Sequence, residues 1–83
     1  MDPAADQPAV TLDAIKPGNE ASIVKISGTG SVRRRLLDMG GTAGTVVCVK
    51  RVAPLGDPIE IKIKGYHLTL RKEEARRIAV TPI

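Results

Sequence analysis

Cys48 and His67 are the only thiol and the only imidazole in this 83-residue chain. They are the pair that could contribute to a weak metal site. Ferrous iron and zinc take ligands in sets of three or four, so this pair supplies at most half a site, and only from strands in a particular register. His67 precedes Leu68 and Leu70 with opposite parity and reads as a partly exposed strand residue. Glu73 and Glu74 are adjacent carboxylates, but on a helical turn they diverge by about 100°. Flanked by Lys72, Arg76 and Arg77, they read as a solvated charged face. Gly28-x-Gly30 ahead of a helix could cradle a phosphate. Position 33 is Arg where a full Gly-x-Gly-x-x-Gly would need Gly, and no Gly-Lys-Ser/Thr follows, so this segment reads as a turn. No metal site, no cofactor and no catalytic residue is expected, and the chain does not read as an enzyme.

Other residues ask for a partner. Arg33, Arg34 and Arg35 occupy the first turn of a helix, where the positive end of the macrodipole disfavours cations, and Asp38 sits near the other end with the opposite mismatch. Residues set against local preference are candidates for recognition, although an Arg34 to Asp38 pair on a solvated face would look the same. Leu37 falls off the apolar stripe, so it either packs under a loop or presents an anchor among cations. Leu55 and Asp57 lie in a loop stiffened by Pro54 and Pro58. This loop either preorganises Leu55 for docking or folds back over the fold. Val46 and Cys48, with Val52, make the outer face of one strand unusually apolar and form a possible second interface.

These residues need elements to hold them. A chain of this length makes one domain with a modest core, and without Phe or Trp that core is built from Val, Ile, Leu and Ala. Residues 1–9 are expected to be a disordered tail, and residues 10–83 the domain. Thr11 is expected to cap a helical turn through Ile15, and Glu20 to Ile26 to form a strand whose parity break signals a bulge. Ser31 is expected to cap a helix from Val32 to about Met39, with Val32, Leu36 and Met39 facing the core. Strands follow at Thr45 to Val52 and Ile59 to Lys64, a turn at Gly65-Tyr66, and a strand through Leu68 and Leu70. Arg71 to Arg77 gives a short helical turn, and Ile78 and Val80 a last strand. The pattern is mainly β: about five short strands with one inserted α-helix and short helical turns, closing into a small, partly open barrel.

Net charge is +4, and two of the nine acids, Asp2 and Asp6, fall in a tail without Lys or Arg, so the rest of the chain is more basic than the total. Such a surface attracts acidic proteins, nucleic acid or anionic headgroups. A single cysteine allows no internal disulfide and fits a reducing compartment. No apolar run approaches the ~20 residues of a membrane span, and Met1-Asp2-Pro3 lacks the basic and apolar regions of a signal peptide. The expected setting is soluble and cytoplasmic.

Three segments in order, Arg33-Arg34-Arg35-Leu36-Leu37-Asp38-Met39-Gly40, Ala53-Pro54-Leu55-Gly56-Asp57-Pro58-Ile59-Glu60-Ile61 and Gly65-Tyr66-His67-Leu68-Thr69-Leu70-Arg71, resemble the FeoA family of ferrous iron transport accessory proteins over about Val10 to Val80. The resemblance implies an SH3-like barrel and a cytoplasmic adaptor that contacts the FeoB GTPase-permease. Gly41 departs from the aliphatic residue expected after Met39-Gly40, which would loosen the helix exit or leave a gap. Two rivals remain. A nucleic-acid-binding basic barrel is weakened by the lack of aromatics for base stacking. A stand-alone relative of the C-terminal domain of metal-dependent repressors would lack its helix-turn-helix and ligands. Weak homo-oligomerisation is compatible with either face.

Overall fold

Ile59, Ile61 and Ile63 alternate with Glu60, Lys62 and Lys64, and all three isoleucines are buried, so strand β4 (Ile59–Ile63) sets one inner and one outer face for the sheet. The computed structural model describes residues 9–28 and 30–83. Residues 1–8, nearly all of the expected disordered tail, lie outside the described residues. The remaining strands are β1 (Val10–Thr11), β2 (Glu20–Ile26), β3 (Val46–Val52), β5 (Tyr66–Leu70) and β6 (Ile78–Pro82). They form one antiparallel sheet in the order β1-β6-β2-β3-β4-β5. Its inner face wraps Ala21, Ile23, Val47, Val49, Leu68, Leu70, Ile78 and Val80 around the β4 isoleucines, with Leu12 sealing one end.

The two-residue β1 was not expected. Val10 pairs with Val80 and Thr11 with Ala79, which draws into the sheet a residue the sequence offers only as a cap. The Thr11 hydroxyl donates to the Asp13 carboxylate beside the 3₁₀ turn Leu12–Ala14 rather than capping a backbone N–H. Asp13 also meets Arg76 at 3.5 Å.

Two bulges decide which side chains face inward. In β2 the register against β6 shifts between Ile23 and Lys25, so Val24 is the extra residue and Ile26 returns to the core side, as the parity break implies. A second shift, between Val49 and Arg51, does the same in β3. It turns Val52 onto the core, correcting the expectation that Val52 joins Val46 and Cys48 outside.

Helix α1 (Ser31–Asp38) begins one residue earlier than expected. Gly30 at φ 147° is its N-cap, and Ser31 is the first helical residue rather than the cap. Leu36 is fully buried while Val32 and Met39 pack against the core, the stripe the spacing predicts. The helix closes with two reciprocal bonds: Gly41 N–H to the Leu36 carbonyl at 2.7 Å and Gly40 N–H to that of Leu37 at 3.0 Å. This is a Schellman ending, with Gly40 at φ 79° in the left-handed conformation it demands.

Gly41 leaves no gap. A Cβ built there would lie 2.7 Å from the Leu36 carbonyl oxygen and 3.1 Å from Ile63 Cδ1, so the backbone fills the space an aliphatic side chain was expected to occupy. Gly41→Ala should destabilise the domain by about 1 to 3 kcal/mol, because the helix exit must move to admit one carbon. Urea unfolding checks it; an unchanged midpoint would show that the exit is loosely packed.

After β5, whose turn is Lys64-Gly65 rather than Gly65-Tyr66, the chain forms the single turn α2 (Lys72–Ala75). Among the described residues, no helix is long and apolar enough to cross a membrane.

Candidate functional site

Helix α1 leaves its basic residues in solvent while burying Leu36. Arg33, Arg34, Arg35 and Asp38 are all exposed, and Leu37, at 40% exposure, stands among them. Arg33 and Leu37 form one wall of a groove whose other wall is the β2 bulge, with Val24 at 43% exposure. Its end is the loop through Gly41, Thr42 and Ala43. That loop is pinned to β2 by the Gly44 N–H to Ile23 carbonyl bond at 2.7 Å and the Ile23 N–H to Thr45 carbonyl bond at 2.8 Å. The Thr45 hydroxyl also donates to the Gly40 carbonyl at 3.0 Å, so helix exit and groove end are one unit. A second hollow, lined by Gly30, Arg33, Arg34, Leu37 and Asp38, adjoins it along the helix. Four residues named from the sequence thus share one surface. Val24 was missed as its apolar counterpart, although the broken parity of β2 already marked it.

Leu55 and Asp57 line neither hollow. Leu55 is 95% exposed at the tip of the β3–β4 loop, so the loop does not fold back over the barrel. Asp57 has a structural job: its Oδ1 accepts the Lys72 N–H at 3.0 Å and ties the loop to the start of α2. Val46 and Cys48 point to the outer sheet face, away from the groove, with Val46 exposed and Cys48 half-buried.

Cys48 pairs with Lys62, which in turn pairs with His67, so thiol and imidazole share a face but are separated by a whole strand. The Lys62 side chain stands between them, where an ion would have to sit. The described residues bring no three His, Cys, Asp or Glu side chains together.

Gly28 and Gly30 border a cavity of about 150 Å³ between the start of α1 and the α2–β6 junction. Its walls include Ile26 and Ile78, with Arg33, Arg77 and Glu74 also lining it. Glu74 is not part of a solvated face as expected. It is half-buried, and its Oε1 accepts the Arg71 N–H at 2.8 Å, the return bond of a capping box. A phosphate entering here would meet a carboxylate as well as the two guanidinium groups.

The architecture is that of a small SH3-like barrel with an inserted helix, its distinctive surface an apolar groove bordered by cations. Residues 10–82 match the FeoA domain family, and the chain belongs to that family. It is 39% identical over 69 residues, 83% of its length, to the Fe(2+) transport protein A/Fe(2+) transporter FeoB fusion protein of Porphyromonas gingivalis, and spans 8% of that much longer relative. The solution structure of the FeoA protein from Chlorobium tepidum superposes with a TM-score of 0.82 at 40% identity, covering 89% of this chain and 70% of that one. The crystal structure of Stenotrophomonas maltophilia FeoA complexed with zinc, described as a prokaryotic SH3 domain protein, superposes with a TM-score of 0.75 at 25% identity, covering 87% and 89%.

Proposed function

We propose that this chain is a non-catalytic, cytoplasmic adaptor of ferrous iron uptake that docks on the cytoplasmic portion of a FeoB-like GTPase-permease through the α1 groove. The covalent union of the two proteins in the 39% identical relative carries the choice of partner, since fusion preserves a functional pairing at high effective concentration. The groove supplies the means. Leu37 and Val24 offer aliphatic anchors, while Lys25, Arg33 and Arg34 at the rim would steer an acidic surface toward them. Leu55, presented on its tethered loop, is a secondary contact, and the Val46 and Cys48 face a further one. A nucleic-acid role is disfavoured because the only aromatic side chain is Tyr66.

Co-purification of this chain with the cytoplasmic portion of such a permease tests the pairing; failure to co-purify at low salt would count against it. Iron is cargo of the pathway in this account, not a ligand of this domain. Anaerobic calorimetric titration with Fe²⁺ should therefore give no stoichiometric binding in the micromolar range. A site of that strength lost in both Cys48→Ser and His67→Ala would overturn the adaptor reading.

A further inference from the structure

Among the described residues, the β5 edge has no strand partner. The sheet ends there, while the opposite edge, β1, is only two residues long. The direction of the β5 backbone groups follows from the turn before it. Lys64 at φ 48° and Gly65 at φ 84° are the two central residues of a two-residue hairpin joining the paired Ile63 and Tyr66. Such a turn makes its flanking residues a hydrogen-bonded pair, and hydrogen-bonded and non-hydrogen-bonded pairs then alternate along the ladder. Tyr66, Leu68 and Leu70 therefore bond to β4, whereas His67 and Thr69 direct their N–H and C=O groups away from the sheet.

Natural sheets protect such an edge with proline, a bulge, an inward-pointing charge, a very short strand, charged side chains or a covering element. β5 has none of the first four: it is five residues long, regular in register, and inward-facing only through Leu68 and Leu70. The geometry points to β5 as a docking edge that adds one extended strand from a partner protein, and the surrounding charge selects an acidic one. Lys62 and Arg71 are exposed around it, and Lys64, in the turn before it, lays its side chain along Gly40 at the exit of α1. Glu60, the acid on the neighbouring strand, lies between Arg51 in β3 and Thr69 in β5, and Glu73 follows in α2. A second copy of this chain would bring the same cations against themselves. No β5 residue lines either hollow beside α1, so the edge can be tested independently of the adaptor reading.

The test uses the ¹⁵N-labelled 83-residue chain and an octapeptide of alternating Glu and Val, with blocked ends. Hydrogen exchange of the His67 and Thr69 amides should slow about tenfold at saturating peptide, because only a paired strand protects both. Three controls leave the protein unaltered or nearly so. The same peptide N-methylated at alternate residues keeps its charge and side chains but cannot pair on the methylated edge, and it should give no protection. A Lys and Val peptide should bind at least about tenfold more weakly. Thr69→Pro removes an N–H that the β4 ladder does not use and should abolish protection at His67.

Protection that survives N-methylation, or peptide-induced shifts confined to other strands, would overturn the inference. Equal binding of the Lys peptide would overturn the acidic partner. Protection that rises with protein concentration alone would assign the edge to a second copy instead.

Discussion

Leu36→Ala should destabilise the domain by about 2 to 5 kcal/mol, whereas its neighbour Leu37→Ala should cost well under 1 kcal/mol. Leu36 is the one residue of α1 with no exposure, and Val32 and Met39 only flank it. Truncation forfeits the transfer of a whole leucyl side chain from water and leaves a void against the sheet, which the Schellman closure prevents the helix from collapsing to fill. Leu37 keeps much of its surface in water already and loses little. A domain this small has little stability to spare, so Leu36→Ala should leave the chain largely unfolded at ambient temperature. The chain has no Trp, and unfolding is followed by far-UV circular dichroism in urea. Equal shifts for the two variants would mean that the helix faces are misassigned, and the groove with them.

The strand pattern was legible because alternation needs only local information: Ile59, Ile61 and Ile63 announce an inner face whatever they pack against. The helix stripe was legible for the same reason, since Val32, Leu36 and Met39 obey the helical period and Leu37 breaks it. Features that depend on distant chain were not. Val52 reads as outward-facing from sequence because the extra residue Lys50 is visible only once β3 is set against β4. Asp57 reads from sequence as a partner-binding loop residue, and its bond to the Lys72 N–H, fifteen residues later, is invisible locally. Glu74 looked like half of a solvated pair until the Arg71 N–H engaged it. Gly41 looked like a defect because a sequence cannot show that a carbonyl lies 2.7 Å from where its Cβ would be. The groove was half legible: Arg33, Arg34, Leu37 and Asp38 follow from helix electrostatics, but their counterpart Val24 sits across a fold contact.

Replacing both Arg33 and Arg34 with Glu tests the proposed docking surface most directly. The two side chains project into solvent and line the hollows around Leu37. Glutamates in a first helical turn suit the macrodipole better than arginines do, so the fold should hold or gain slightly. Binding to an acidic partner surface should fall about 100-fold at low salt, as two attractive contacts become repulsive. Wild-type binding should itself weaken as rising salt shortens the screening length. The measurement is calorimetric titration of the cytoplasmic portion of a FeoB-like permease into parent and double variant, with matched thermal melts. Loss of binding with coincident melts is the result this account predicts; undiminished binding by the double variant would contradict it.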